Sequence, residues 1–148
     1  MEIERVLLVD DDPSIRMVAE ICLTRVGHWK VTLAESGRQA LDLVSIANPD
    51  LILLDVMMPG MDGPTTMQLL REFTDAPVIF ITAKSQKHEV DRYLALGAAG
   101  VIAKPFDPLA LPAEIESILK GHCRSSMFAG LDSRLMETKA ISGAEAIA

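Results

Sequence analysis

The fold of this chain is decided by one stretch, Leu51-Ile52-Leu53-Leu54-Asp55-Val56-Met57-Met58-Pro59-Gly60-Met61-Asp62-Gly63. Its first four residues are aliphatic, and turn-forming proline and glycine follow soon after Asp55. An unbroken aliphatic run that ends in turn residues is typical of a strand buried on both faces of a parallel sheet. Asp55 therefore stands where a buried strand ends. A half-buried carboxylate is unfavourable there unless a cation or a proton compensates its charge.

The composition indicates one globular domain, or one domain with a tail. The chain has 148 residues, and 49% of them are hydrophobic, which is enough for a sizeable aliphatic core. A formal net charge of -7 argues against a surface that binds the phosphate backbone of nucleic acids, which needs a basic patch. The first residues show no secretory leader, and no apolar run reaches membrane-spanning length. We therefore expect a cytoplasmic protein that binds neither nucleic acid directly nor a membrane.

On both sides of this stretch, apolar runs alternate with segments of helical periodicity. Strands are predicted at 6–9, 29–34, 51–54, 78–81 and 99–103, and helices at about 14–26, 36–47, 63–73, 85–96 and 107–120. Five β-α repeats predict a parallel sheet with helices on both faces, because parallel strands need right-handed crossover connections. The strand at 29–34 is the least hydrophobic, which suits an edge. The predicted fold is a flavodoxin-like, doubly wound α/β fold with strand order 2-1-3-4-5.

Polar residues follow four of the predicted strands: Asp10 and Asp11, Asp55, Thr82 and Lys104. In an open parallel sheet these strand ends lie along one edge, where ligands bind. The predicted order places the strands before Asp10 and Asp55 side by side, so three carboxylates crowd together. Like charges at such short range need a counter-ion. Few carboxylates in a partly hydrated site suit Mg²⁺, whereas Zn²⁺ would favour histidine or cysteine ligands.

A metal alone does not account for Lys104 and Thr82. A cation and a hydroxyl beside Asp55 suit an anion with several oxygens, and a phosphoryl group meets this requirement. An aspartate can act as the nucleophile that forms an acyl phosphate. Mg²⁺ and a lysine would stabilise the charge on the phosphoryl oxygens in the transition state.

Five short motifs carry a resemblance to a known family: Val9-Asp10-Asp11, Leu54-Asp55-Val56-Met57-Met58-Pro59, Met61-Asp62-Gly63, Thr82-Ala83 and Lys104-Pro105-Phe106. With these motifs in this order, residues 4–120 resemble the CheY-like receiver domain of two-component response regulators. The chain is most similar to receivers of the stand-alone, single-domain type.

The resemblance implies a role for each residue of the site. Asp55 would accept a phosphoryl group from a sensor histidine kinase or a histidine phosphotransfer protein. Mg²⁺ would be bound by Asp11, Asp55 and the backbone carbonyl of Met57, with Asp10 helping through water, while Lys104 and Thr82 would contact the phosphoryl oxygens. The family also implies a cis bond between Lys104 and the proline that follows it.

Two departures from the family pattern affect function. The family couples its threonine to an aromatic residue on the last strand, but that position here is Val101. We therefore expect activation to act through Thr82 and the loop that follows it. The positions that set the dephosphorylation rate in the family are Met57 and Lys84 here. Since an apolar Met57 cannot hydrogen-bond to an attacking water, we expect a long-lived phosphorylated form.

The expected organisation is a receiver domain at residues 1–120 and an extension at 121–148. The extension is too short for a DNA-binding output domain and is predicted to be a short helix or disordered. A receiver of this kind would switch its binding to a downstream protein. It would not be an enzyme beyond catalysing its own phosphotransfer and dephosphorylation, and the sequence leaves open whether it forms a homodimer.

Two alternative functions remain at this point. Asp10-Asp11-Asp12-Pro13-Ser14 also fits the opening motif of Mg²⁺-dependent phosphatases of the haloacid-dehalogenase type, in which the first aspartate is the nucleophile. That interpretation leaves Asp55 without a role, and the chain lacks the later acidic metal motif. The other alternative is a receiver-like interaction module that does not take up phosphate.

Overall fold

Five strands alternate with helices along residues 2–122, which is the part of the chain that the computed structural model describes. The strands are β1 (Arg5–Val9), β2 (Lys30–Ala34), β3 (Leu51–Asp55), β4 (Val78–Thr82) and β5 (Gly100–Ala103). The first four helices are α1 (Pro13–Arg25), α2 (Gly37–Ala47), α3 (Gly63–Leu70) and α4 (Lys87–Ala95). A short 3-10 turn at Pro108–Ala110 leads into α5, which comprises residues 111–122 of the described part.

The strands form one sheet in the order β2-β1-β3-β4-β5, and every neighbouring pair is parallel. This confirms the predicted doubly wound, flavodoxin-like topology and the edge position of β2. The change of direction in strand order falls between β1 and β3. In folds of this kind, the carboxyl ends of the strands at such a switch point form the ligand-binding crevice.

Alternate residues of each strand point to opposite faces of the sheet, so two separate cores form. On one face, Leu7 and Val9 of β1 pack with residues from α2, α3 and α4. On the other face, Val6 and Leu8 pack with residues from α1 and α5. Because both faces are covered, β1, β3 and β4 are almost entirely buried, as their continuous apolar sequences predict.

Side-chain caps fix the loops that follow β1 and β3. Asp12 caps α1 by accepting a hydrogen bond from the backbone N–H of Ser14 at 2.8 Å. Asp62 caps α3 in the same way, through the N–H of Thr65 at 2.9 Å. Each cap satisfies a free N–H group at a helix start and so holds the loop at the carboxyl edge of the sheet.

Two predicted helix boundaries are wrong. The third helix was expected to include Phe73, but α3 ends at Leu70, whose carbonyl accepts the N–H groups of Phe73 and Thr74 in a turn. Phe73 is 57% exposed and belongs to no core. The fourth helix starts at Lys87 rather than near 85, because the Thr82 hydroxyl accepts the N–H of Lys84 and forms a local turn before it.

Most of the predicted extension at 121–148 lies outside the described residues, which end at 122. The last helix was expected to end at Gly121, but residues 121 and 122 are still helical. Within residues 2–122, no helix is long and apolar enough to cross a membrane.

Asp50 ties the start of β1 to the loop before β3, and its loss should destabilise the domain. Its carboxylate accepts the N–H groups of Glu4 at 3.0 Å and Arg5 at 2.9 Å. Burial alone would raise the pKa of Asp50, but these two hydrogen bonds and the charge of Arg5 lower it overall. We expect Asp50→Ala to lower the free energy of unfolding by about 1.5–3 kcal/mol in urea titrations at pH 7, because hydrogen bonds to a charged group are lost.

The effect of Asp50 should depend on pH in a defined direction. Since the pKa of this carboxyl is lowered on folding, its stabilisation is present above the unfolded pKa of about 4 and is lost as the pH falls through the folded pKa. The variant and the wild type should therefore converge in acid. Asp42→Ala, at an exposed position on α2, is the matched control and should change the unfolding free energy by about 0.5 kcal/mol or less. A loss for Asp50→Ala no larger than that of the control would contradict this account.

Candidate functional site

The switch point brings Asp10 and Asp55 to one place. Asp10 directly follows β1 and Asp55 ends β3, and the register pairs Val9 with Leu54 one residue before each carboxylate. Both carboxylates are buried, with Asp10 fully covered and Asp55 4% exposed. Asp11 is exposed to solvent beside them. The structure thus gathers the three predicted acidic residues at the carboxyl edge of the sheet.

Lys104 lies between the two buried carboxylates. Its Nζ is 2.9 Å from Asp10 Oδ2 and 3.4 Å from Asp55 Oδ1, and the side chain is 17% exposed. The backbone of this lysine is held by β4, because its N–H donates to the carbonyl of Thr82 at 2.9 Å. The bond to Pro105 is cis, as the resemblance implies. Lys104 therefore supplies one cation to two acids on neighbouring strands.

The electrostatic balance of the site is reflected in two shifted pKa values. Burial and the neighbouring charge of Asp10 raise the pKa of Asp55 to about 6, although Lys104 and the N–H of Met57 act in the opposite direction. Burial alone would lower the pKa of Lys104, but its close contact with Asp10 and the charges of both acids raise it. A single lysine therefore compensates the acidic charge only in part, and further positive charge would be favourable here.

The donor atoms suit a hard divalent cation. Asp10, Asp11 and Asp55 each offer one carboxylate oxygen, and these oxygens lie within 4.8 Å of one another. Within residues 2–122, Asp10 Oδ2 is the one buried side-chain oxygen or nitrogen without a hydrogen bond, since the Lys104 ammonium faces it at 2.9 Å without hydrogen-bond geometry. Carboxylate oxygens alone, with one of them exposed, match the preference of Mg²⁺ for oxygen ligands and retained water. The residues present therefore fit the metal that the sequence predicts.

Thr82 ends β4 next to the acidic cluster. It is one residue beyond Ile81, which lies opposite Asp55 in the sheet. Its hydroxyl is fully buried and accepts the N–H of Lys84 at 2.9 Å. Thr82 thus stands on the side of Asp55 that faces Lys104, as the sequence predicts.

Met57 is the remaining predicted site residue. Its N–H donates to Asp55 Oδ1 at 3.3 Å, which holds the carboxylate against the loop after β3. Its side chain is 57% exposed and has no polar group to offer to water. The role of its carbonyl as a metal ligand stays a prediction.

Arg16 is a site residue that the sequence analysis missed. Its guanidinium reaches from α1 to donate to the carbonyl of Asp10 at 2.7 Å, and it lies 3.9 Å from Glu35. This contact holds the end of β1 and so fixes the backbone that carries two of the acids. The sequence contains one signal for this contact, because Arg16 lies one turn into a helix that directly follows the acidic end of a strand. A side chain at that position can fold back over the strand end.

The fold and these side chains define a class before any comparison is made: a doubly wound domain with an acidic cluster paired with a lysine at the carboxyl edge of its sheet. A family model for the response regulator receiver domain matches residues 6–116. The chain therefore belongs to the response regulator receiver domain family. This confirms the family that the sequence motifs indicate.

Relatives of the chain include named transcriptional regulators. It is 40% identical to the transcriptional regulatory protein YvrH of Bacillus subtilis over 120 residues, which cover 81% of this chain and 51% of that protein. It is 40% identical to the transcriptional regulatory protein BaeR of Escherichia coli over 118 residues, covering 78% of this chain and 48% of that protein. The chain thus spans about half the length of the curated relatives it matches, and the prediction of a stand-alone receiver is not confirmed.

Solved structures of the same fold include single receivers. The chemotaxis response regulator CheY4 of Vibrio cholerae superposes with a TM-score of 0.72 at 31% identity, over 79% of this chain and 99% of that one. The receiver domain of the Francisella response regulator 1452 gives a TM-score of 0.69 at 27% identity, over 82% of this chain and 98% of that one.

Proposed function

We propose that this chain is a cytoplasmic phosphoacceptor that takes a phosphoryl group on Asp55 and thereby changes its binding to a downstream protein. The donor would be a sensor histidine kinase or a histidine phosphotransfer protein. One observation carries the proposal: the Lys104 ammonium lies within 3.4 Å of Asp55 and 2.9 Å of Asp10 in a cluster of three carboxylates. This arrangement supplies a nucleophile, a fixed cation and a metal-binding edge within a few ångströms.

The transfer itself is a displacement at phosphorus. A carboxylate oxygen of Asp55 attacks the phosphorus of a phosphohistidine, a P–O bond forms, and the P–N bond breaks with its electron pair returning to the imidazole. Lys104 is placed to bind the phosphoryl oxygens as they gain charge, and Thr82, which ends the strand beside Asp55, offers a hydroxyl at the same edge of the sheet. Only the ionised carboxylate is a nucleophile, and without metal the pKa of about 6 means that this form of Asp55 predominates above that pH.

Mg²⁺ is the cofactor that we propose for this site. Asp11, Asp55 and the Met57 carbonyl would hold it directly, and Asp10 would do so through water. When bound, the ion supplies the positive charge that lets the neighbouring carboxylates stay ionised and that offsets charge on the phosphoryl oxygens.

The phosphatase alternative is less well supported by the geometry. It needs Asp10 as the nucleophile, yet Asp10 is fully buried and faces Lys104 at 2.9 Å. It would also leave Asp12 to act on a substrate, whereas the Asp12 carboxylate caps α1. Asp55, in contrast, is adjacent to the exposed Asp11 and Met57.

Phosphorylation of Asp55 could act on either of two downstream targets. The motifs of the chain favour binding to a separate downstream protein, with no direct contact to nucleic acid. The relatives YvrH and BaeR are transcriptional regulators about twice as long as the matched region, which supports regulation of a DNA-binding segment as the second candidate. Electrophoretic mobility shifts with the phosphorylated chain and random duplex DNA test the first candidate, because a complex with DNA would contradict it.

Acetyl phosphate provides a direct test of the proposed function. The wild-type chain should gain one phosphoryl group by mass spectrometry when Mg²⁺ is present and none when a chelator removes it. Asp55→Ala should abolish this labelling, whereas a phosphatase would lose it in Asp10→Ala and retain it in Asp55→Ala. No labelling of the wild type in Mg²⁺ would favour the phosphate-independent interaction module.

Met57 should set the lifetime of the phosphorylated form. We expect Met57→Asn to speed its decay about fivefold, because one added hydrogen bond of about 1 kcal/mol to the attacking water corresponds to that factor. Loss of the label with time after removal of the donor measures this rate. Ile46→Asn, at an 83% exposed position on α2, is the control and should decay like the wild type. An unchanged half-life in Met57→Asn would exclude this role for the side chain.

A further inference from the structure

Gly63 stands out among the residues around the site, because nothing in its own helix requires a glycine. It is the first residue of α3, directly after the capping residue Asp62, and it is buried. Its φ angle lies outside the left-handed region, so other residues could adopt this backbone conformation. Glycine is also less favourable than alanine in a helix. The reason for a glycine at this position must therefore lie in its surroundings.

Gly63 packs directly against the backbone at the end of β3. A Cβ atom at position 63 would lie 2.5 Å from the carbonyl oxygen of Asp55 and 2.8 Å from the Cα atom of Val56. Real Cβ atoms essentially never come within 3.0 Å of another heavy atom. Because both of these neighbours are backbone atoms and not the flexible end of a side chain, any side chain at position 63 would push the start of α3 away from the end of β3.

A chain of hydrogen bonds connects Gly63 to the carboxylate of Asp55. The N–H of Gly63 donates to the carbonyl of Val56 at 2.8 Å. That carbonyl belongs to the same peptide unit as the N–H of Met57, which donates to Asp55 Oδ1 at 3.3 Å. A peptide unit is planar, so a contact that fixes its C=O also fixes the direction of its N–H. Gly63 thus sets the orientation of the peptide group that holds the carboxylate.

Further contacts hold both ends of the loop at residues 56–62. The N–H of Val56 donates to the carbonyl of Ile81 at 3.3 Å, which ties the start of the loop to β4. At the other end, the buried hydroxyl of Thr66 donates to the carbonyl of Asp62 at 2.8 Å. The loop therefore begins and ends on backbone that contacts within the protein hold in place.

We propose that Gly63 is a positioning residue for the metal site. Its close approach and its hydrogen bond orient the peptide between Val56 and Met57. This peptide in turn places the Asp55 carboxylate and the Met57 carbonyl, which are two of the groups proposed to bind Mg²⁺. The loop is thereby ordered before the ion binds, so that binding does not have to supply the free energy of ordering it. The inference rests on the proposed function, because it presupposes that metal site.

Binding of Mn²⁺ alone, followed by electron paramagnetic resonance, tests this role without phosphoryl transfer, because Mn²⁺ prefers the same oxygen ligands as Mg²⁺. In Gly63→Ala the affinity for Mn²⁺ should fall about 10- to 100-fold, which is the range typical of losing a group that orients metal ligands. Urea unfolding of the same samples reports whether the variant is folded.

Gly100→Ala is the matched control for this substitution. Gly100 is also buried, but an added Cβ atom would there meet the side chain of Ile118 and not backbone. It starts β5, whereas Lys104 follows the end of that strand, so the substitution should strain the core and leave Mn²⁺ binding like that of the wild type. Equal affinities in Gly63→Ala and Gly100→Ala would overturn the role of Gly63 alone. A wild type that binds no Mn²⁺ would overturn the proposed metal site and the role of Gly63 with it.

Hydrogen exchange in the wild type provides a second readout, which does not depend on the folding of a variant. The N–H of Gly63 should exchange slowly in the metal-free chain, because its hydrogen bond to Val56 is already formed. Added Mg²⁺ should therefore give this amide little further protection. Exchange at the rate of an unfolded chain without metal, with protection only after Mg²⁺ is added, would show that the ion orders the loop and would contradict the proposal.

Discussion

Asp55→Asn is expected to stabilise the metal-free protein at pH 7 by about 2–3 kcal/mol, since each unit of pKa shift corresponds to about 1.4 kcal/mol. The cause is the pKa of Asp55, which burial and the charge of Asp10 raise from 3.8 to about 6. The folded state therefore holds the charged carboxylate less favourably than the unfolded state does. Asparagine keeps the shape of the side chain and removes the charge. Urea unfolding in the presence of a chelator measures the difference.

The pH dependence of this effect has a defined sign. Between the unfolded pKa of 3.8 and the folded pKa of about 6, the folded wild type binds more protons than the unfolded chain. Its stability relative to Asp55→Asn should therefore fall as the pH rises through this window and stay constant above it. The stability of the wild type relative to Asp42→Asn, a substitution on the exposed surface of α2, should not change with pH in this range. If Asp55→Asn were less stable than the wild type at pH 7 without metal, the charge on Asp55 would not destabilise the folded state, and this account would be wrong.

Lys104→Met should have the opposite and larger effect, destabilising the metal-free protein by about 3–5 kcal/mol, because removing one partner of a buried ion pair leaves uncompensated charge. The lysine is the cation that faces both Asp10 at 2.9 Å and Asp55 at 3.4 Å. Methionine fills a similar volume without the ammonium group. Added Mg²⁺ should restore part of the stability, and labelling by acetyl phosphate should remain about a hundredfold slower, as for the loss of one group that stabilises transition-state charge.

Lys87→Met is the matched control for this prediction. Its ammonium pairs with Asp91 at 3.0 Å, but the side chain is 90% exposed, so the pair lies in solvent. Exposed pairs of this kind contribute about 0–1 kcal/mol. Similar losses of stability in Lys104→Met and Lys87→Met would show that Lys104 does not compensate buried charge.

The sheet could be predicted from the sequence because the residues of each central strand themselves indicate a buried strand. β1, β3 and β4 each contain four consecutive apolar residues, which is typical of strands buried on both faces of a sheet. The convergence of Asp10, Asp55 and Lys104 then follows from topology, since the carboxyl ends of parallel strands share one edge.

The errors lie where local pattern and tertiary packing disagree. Phe73 has helical spacing relative to Leu70, but the chain turns before it and a guanidinium–carbonyl bond from Arg71 to Ala76, of 2.7 Å, forms part of that turn. In α1, Val18 shares the helical spacing of the apolar residues, yet it is 38% exposed, whereas Ala19 and Leu23 are buried. The spacing of apolar residues along a helix does not show which of two possible apolar faces packs against the sheet.

Contacts between distant side chains could not be predicted from the sequence at all. The reach of Arg16 to the carbonyl of Asp10 depends on how α1 is placed over β1. The packing of the Tyr93 ring on Phe80, with centroids 5.3 Å apart, depends on how α4 is placed over β4. The sequence marked Val101 as a departure from the family pattern, but only the three-dimensional arrangement shows which ring lies on that face of the sheet.

The most direct test of the central claim is to locate the phosphoryl group on the chain. After labelling with acetyl phosphate and Mg²⁺, borohydride reduction of the acyl phosphate and peptide mass spectrometry identify the modified aspartate. The structure predicts modification of Asp55 alone, with none in Lys104→Met on the same time scale. Modification of Asp10 in place of Asp55, or equal modification of several exposed carboxylates, would contradict the account.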